Sequence, residues 1–160
     1  MKSKNTEAAQ RILLLLKIDA NNLFKRVRDR KSEYLEVFAL RRTRTHFPGI
    51  FANRYETSSL SDLAHCSTEL ISTLDQYYIL AEQTNWYLFQ TEDMPGTVEH
   101  FVDRKIKRME SVLATLNLFL NAELGIENEE APLAETSFID QPVPDDIFSE
   151  PFEGDTSQES

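Results

Sequence analysis

Two clusters of cationic side chains are the residues of this sequence best suited to chemistry on a charged ligand. One is Lys25-Arg26-Val27-Arg28-Asp29-Arg30-Lys31, and the other is Arg41-Arg42-Thr43-Arg44. Clustered guanidinium and ammonium groups bind phosphates, anionic lipid head groups or acidic protein surfaces. The predicted binding residues are therefore Lys25, Arg26, Arg28, Arg30, Lys31, Arg41, Arg42 and Arg44.

The second cluster also offers a catalytic alternative. Arg41 precedes His46 by five residues, which resembles the Arg-x(4–6)-His motif of HEPN-domain ribonucleases, a family of helical bundles. The resemblance implies that His46 would serve proton transfer at a 2′-hydroxyl and that Arg41 would hold the scissile phosphate. It covers six residues. A histidine near a helix end is also explained by hydrogen bonding to the terminal carbonyls.

Metal-ligating residues are sparse. His65 and Glu69 are four residues apart beside Cys66, the single cysteine of the chain, and three histidines are present in all. Carboxylate-bridged di-iron bundles need two Glu-x-x-His motifs, and structural zinc sites need four converging ligands. The sequence therefore predicts no metal and no cofactor, with Cys66 as a packing residue.

Charge is distributed unevenly along the chain. Residues 1–54 carry a net charge of +8, residues 55–124 carry −7 and residues 125–160 carry −11. The acids available in the same chain are expected to pair with much of the basic cluster. Nucleic acid is a weaker candidate partner, because the pI is 4.8 and the acidic segment would compete with it for the cations.

The acidic C-terminal segment, residues 126–160, is predicted to be a disordered tail, because it has no Lys or Arg and cannot bury enough apolar surface to offset its ordering entropy. Apolar anchors among acids are typical of short recognition motifs. Its Asp-Asp-Ile-Phe piece resembles the acidic, hydrophobic tip of bacterial single-stranded-DNA-binding proteins. The alternative is a tail that only solvates the protein. The predicted motif residues are Phe138, Ile139, Asp145, Asp146, Ile147, Phe148 and Phe152.

Glycine and proline divide the rest of the chain. The pairs Pro48-Gly49 and Pro95-Gly96 predict turns, and Gly125 predicts a helix C-cap. Three long helical segments result, at about 5–46, 59–90 and 97–124. Ser59 and Thr97 are the expected N-caps of the second and third helices.

Hydrophobic periodicity supports an all-α fold, because apolar residues recur at helical spacing in all three segments and alternation with period 2 is absent. The stripes are wider than a coiled-coil seam, as core-facing bundle helices require. We expect an antiparallel bundle of three long helices, or four if the first breaks near Ser32. Trp86, Tyr87 and Phe89 cannot all face one core, so at least one should be exposed.

These features predict a helical domain (1–125) that serves as a non-enzymatic adaptor or regulator and binds another protein. The basic face of the first helix and the acidic tail would be its two contact elements, with the tail covering the cations until a partner displaces it. An unbroken, overhanging first helix would favour a homodimer. The longest apolar run, residues 12–16, is too short for a membrane span, and a single cysteine fits a reducing compartment, so a cytoplasmic location is expected.

Overall fold

The structure is a computed structural model that describes residues 4–126, with side chains from Thr6 onward. Its described residues form helices and no strands. The helices are α1 (Lys4–Asp29), α2 (Lys31–Arg41), α3 (Phe47–Phe51), α4 (Leu60–Leu63), α5 (Thr68–Gln90) and α6 (Pro95–Leu124), with a 3₁₀ turn at Tyr55–Thr57. The all-α prediction is confirmed. None of the described helices is both long and apolar enough to cross a bilayer.

The helix α6 runs antiparallel to both α1 and α5, so that α1 and α5 are parallel to each other. Along both pairs, the contact residue in α6 moves toward the N-terminus of α6 as the residue number in the other helix rises. On one side, Leu14 and Leu124 line the same cleft, Asn21 bonds Asn117, and Lys31, at the start of α2, bonds Asp103. On the other side, Ser67 bonds Glu123 and Gln83 bonds Lys105. A single core lies between these helices and is closed by α2 and α3.

The first predicted helix breaks at Arg30, in agreement with the alternative that placed a break near Ser32. Arg30 has φ −96° and ψ 11° and caps α2 without a side-chain hydrogen bond, whereas Ser32 lies inside α2. The buried face nevertheless continues across the break. Tyr34 and Phe38 are each 1% exposed, and the Tyr34 hydroxyl donates to the Val27 carbonyl at 2.7 Å. That bond joins the two helices inside the core.

The second predicted helix is also divided. Ser59 and Asp62 form the expected capping box, but α4 ends at Leu63 and Leu60 is 88% exposed. Ser67 is the N-cap of α5, and its hydroxyl accepts from the Leu70 amide. Its own amide donates to the Glu123 carboxylate. A hydroxyl that satisfies free helix amides is more useful there than in an apolar core.

Two further local predictions are wrong, and one is confirmed. Pro48-Gly49 lies within the short helix α3 rather than in an open turn, because proline is compatible with the first turn of a helix. The N-cap of α6 is Met94 rather than Thr97, with Pro95 in the first turn. Gly125 has φ 71° and caps α6 in the left-handed region, as predicted.

Candidate interaction surface

The predicted cations of the first cluster differ in what they contact. Lys25 is exposed, and no hydrogen bond, ion pair or ring contact joins it to another described residue. Arg26 is half-buried; its Nε donates to the Ile50 carbonyl at 3.2 Å and its Nη2 donates to the Ala52 carbonyl. Arg26 therefore fastens the end of α3 to α1.

The other three cations of this cluster pair with acids of the same chain, as the uneven charge distribution predicted. Hydrogen bonding to the acid raises the pKa of each cation. The pairs are Arg28 with Asp29 at 2.7 Å, Arg30 with Glu33 at 2.5 Å and Lys31 with Asp103 at 2.6 Å. The Arg28 guanidinium also lies 5.0 Å from the Phe24 ring centroid. Because Arg28 and Arg30 are well exposed, their pairs contribute little to stability.

The second cluster lies where the connection after α2 meets the end of α5. Arg44 donates to the Phe89 carbonyl at 2.5 Å and to the Thr91 carbonyl at 2.7 Å, and it pairs with Glu92 at 3.0 Å. Arg42 is in the left-handed region at φ 52°, with its guanidinium 5.3 Å from the Phe38 ring centroid. Arg44 therefore brings its neighbours close to the C-terminus of α5.

Exposed aromatic side chains occupy the same end of α5. Trp86 is 62% exposed, Phe89 is 57% exposed and Met94, in the following connection, is 71% exposed. Tyr87 is half-buried and stacks on Phe101 with ring centroids 3.7 Å apart. The expectation that at least one of these aromatic residues is exposed is confirmed, and two of them are.

We define the end surface as Arg41, Arg42, Trp86, Phe89 and Met94. Both arginines are exposed, and Arg41 makes no hydrogen bond, ion pair or ring contact within the described residues. The Arg44 side chain connects the two parts of this surface, because it bonds the Phe89 carbonyl and follows Arg42 by two residues. Uncompensated cations beside exposed aromatic rings can bind an acidic ligand that also carries apolar side chains.

The geometry around His46 bears on the ribonuclease alternative. Its Nε2 lies 2.9 Å from the Tyr34 carbonyl oxygen and must donate, since a carbonyl only accepts. Its Nδ1 is buried without a described partner. Arg41 has no hydrogen bond to His46 among the described residues. The His46 ring thus bonds a carbonyl of α2. The ribonuclease assignment of Arg41 and His46 remains a prediction. Incubating RNA with the protein and with its His46→Ala variant would test it.

One buried acid was missed by the sequence analysis. Asp19 is 7% exposed, and its carboxylate accepts from the Arg54 amide at 3.0 Å and from the Tyr78 hydroxyl at 2.7 Å. It lines a cleft of about 250 Å³ that also contains Leu15 and Asp62. Its burial could have been predicted from its position next to Ala20, on the side of α1 that carries the apolar residues. Because both carboxylate oxygens are occupied within the chain, Asp19 has a structural role.

The residues considered as metal ligands lie in the connection from α4 to α5 and in the first turn of α5. His65 and Glu69 are exposed, and no group of three His, Cys, Asp or Glu side chains in residues 6–126 is arranged to hold a metal ion. Burial raises the pKa of the Cys66 thiol to about 11, and Glu123 contributes to the shift. A thiol of that pKa is a poor nucleophile at neutral pH.

The predicted tail lies outside the described residues except for Ile126, so its motif remains a prediction. Comparison with known proteins adds no assignment to these observations. The chain matches no protein-family model, no curated protein and no solved structure.

Proposed function

We propose that this protein is a non-enzymatic helical adaptor or regulator that binds another protein through the end surface. One observation carries the proposal: two exposed aromatic residues and an exposed methionine lie at the same end of the bundle as two exposed arginines, because Arg44 joins the connection after α2 to the end of α5. Tryptophan, phenylalanine, methionine and arginine are enriched in the cores of protein interfaces. Tryptophan and arginine also dominate among residues with large binding contributions.

The chemistry of this surface favours an acidic segment with apolar anchors as its ligand. The rings and Met94 would bury apolar side chains, and Arg41 and Arg42 would attract flanking carboxylates. Arg26 and Arg44 support the fold through backbone carbonyls. Arg28, Arg30 and Lys31 pair with acids of the same chain. The functional part of the predicted basic face is thus smaller than the sequence suggested.

The chain carries a segment of the same chemistry in residues 136–152. This segment contains the predicted motif residues Phe138 to Phe152 and no Lys or Arg. We propose that it competes with the partner for the cationic surface, so that binding requires its displacement. Its effective concentration within one molecule would make the competition strong even if its intrinsic affinity is low.

The single tryptophan of the chain makes the proposal directly measurable, since Trp86 lies in the end surface. A synthetic peptide of residues 136–152 is titrated into the chain ending at residue 126 while Trp86 fluorescence is recorded. We expect a saturable change that weakens as salt rises, and weaker binding to the full chain. Circular dichroism confirms that the shortened chain keeps its helices.

A charge reversal and its matched control define the surface. Arg41→Glu is expected to weaken peptide binding severalfold. Arg108→Glu makes the same charge change at an exposed position of α6 that has no described ion pair and should leave binding unchanged. Equal effects of the two variants would show only general electrostatics and refute the end surface as the site. Affinity purification with the full and shortened chains as parallel baits then tests for the partner protein.

A further inference from the structure

A line of four exposed residues along α1 is not used by the proposed function. Leu14 is 47% exposed and Ile18 is 43% exposed, although both are apolar, and Glu7 and Lys25 are also exposed. The spacings are seven, four and seven residues. At about 100° per residue these four side chains fall within an arc of roughly 40° on the outer side of the helix.

The line is complementary to itself under a two-fold rotation. Residue 16 is the midpoint between Leu14 and Ile18, and it is also the midpoint between Glu7 and Lys25. A second α1 that lies antiparallel and centred on this midpoint therefore places Leu14 against Ile18 and Glu7 against Lys25. Each contact occurs twice, as an isologous interface requires.

The described contacts leave these residues available. Lys25 has no hydrogen bond or ion pair within the described residues, and its one described interaction is a Coulombic attraction that lowers the pKa of Asp29. Glu7 has an exposed pair with Arg11 at 3.8 Å. Beside the line lies a cleft of about 520 Å³, whose walls include Glu7, Leu14 and Leu124. The cleft gives side chains of a second copy room to pack beside Leu14.

We infer that α1 forms a two-fold symmetric contact with α1 of a second copy of this chain. The charge order of the line, acidic at one end and basic at the other, favours a second copy over an unrelated partner. The inference is independent of the proposed function, because the end surface shares no residue with it. The homodimer suggested by the sequence relied on an unbroken first helix; this one relies on the outer face of α1.

The size of the contact predicts its strength. The line spans about 27 Å of a helix of about 10–12 Å diameter, which corresponds to roughly 300 Å² of projected area per copy. Stable interfaces bury about 800 Å² per partner. We therefore expect a weak dimer that forms only as the protein concentration rises.

Sedimentation velocity on the full chain over about 5–500 μM tests this inference. The weight-average sedimentation coefficient should rise toward that of a dimer. Ile18→Glu should raise the dissociation constant at least about tenfold, whereas Leu40→Glu, at a residue of α2 that is 75% exposed, should not. A monomer throughout would overturn the inference and indicate another occupant of the line, such as residues 127–160 of the same chain.

A charge exchange tests the antiparallel arrangement. Glu7→Lys and Lys25→Glu should each weaken the dimer about three- to tenfold at low salt, because each reverses both symmetric pairs. The double variant, with the charges exchanged, should recover it. Failure to recover would refute the proposed pairing.

Disulfide trapping tests the register in a Cys66→Ala background. Leu14→Cys and Ile18→Cys chains, mixed and oxidised, should form the mixed disulfide faster than either like pair, since only the mixed pair lies at the same level. Faster formation of the Leu14→Cys homodimer would contradict the centre at residue 16.

Discussion

The hydroxyl of Tyr78 should be one of the most costly single atoms to remove from this fold. It donates at 2.7 Å to the Asp19 carboxylate, and the two residues are 6% and 7% exposed. Tyr78→Phe keeps the ring but leaves a buried carboxylate oxygen without its donor. A hydrogen bond to a charged group contributes about 1.5–3 kcal/mol, so we expect the free energy of unfolding to fall by about 2 kcal/mol.

Thermal and urea denaturation followed by circular dichroism measure this change. For a domain of this size, about 2 kcal/mol corresponds to a decrease of roughly 6–10 °C in melting temperature. The matched control is Tyr55→Phe. The Tyr55 ring stacks on Tyr78 with centroids 4.3 Å apart, but its hydroxyl makes no hydrogen bond within the described residues. If both variants lose the same stability, the hydrogen bond between Tyr78 and Asp19 is not the cause of the loss.

Three more expected outcomes concern buried and half-buried polar groups. Burial raises the pKa of Tyr34, Tyr77 and Tyr78, so the stability that their neutral side chains contribute is complete below the ordinary tyrosine pKa. Above about pH 10 the free energy of unfolding should fall by up to about 4 kcal/mol per pH unit. Alkaline denaturation followed by tyrosinate absorbance would detect this loss. Cys66, with its pKa raised to about 11, should react with iodoacetamide at pH 8 about 100-fold more slowly than a thiol of pKa 9, and a rate equal to that of the urea-unfolded chain would contradict its burial. Asn21 and Asn117 exchange two side-chain hydrogen bonds, at 2.9 and 3.2 Å, so Asn117→Ala should cost about 1–2 kcal/mol in chemical denaturation. A double-mutant cycle compares Asn21→Leu and Asn117→Leu with their combination, and the double variant should lose less stability than Asn117→Ala. If the losses of the two single Leu variants add strictly, the pair is not coupled.

Candidate functional residues were only partly predictable from the sequence. The basic clusters were evident from composition, but Arg26 and Lys25 are adjacent in sequence and have different roles. Arg26 bonds the carbonyls of Ile50 and Ala52, more than twenty residues away, whereas Lys25 faces outward. Side-chain type cannot distinguish them, because the difference depends on where the end of α3 packs against α1.

The aromatic residues of α5 were also only partly predictable from the sequence. The sequence established that Trp86, Tyr87 and Phe89 could not all be buried, because consecutive residues of a helix point in different directions. Only the packing of α6 decided that Tyr87 stacks on Phe101 and that the other two remain exposed.

From the amino-acid sequence came the helical class, the limits of α6, most of the buried faces and the helix end at Gly125, because period, capping and backbone preferences are local properties. It did not give the limits of the first two predicted segments, each of which is divided. Tertiary structure alone decided the parallel relation of α1 and α5, the burial of Asp19 and which arginines bond internal carbonyls. Those features depend on contacts between residues 20 to 100 positions apart, where the free energy of packing outweighs local preference.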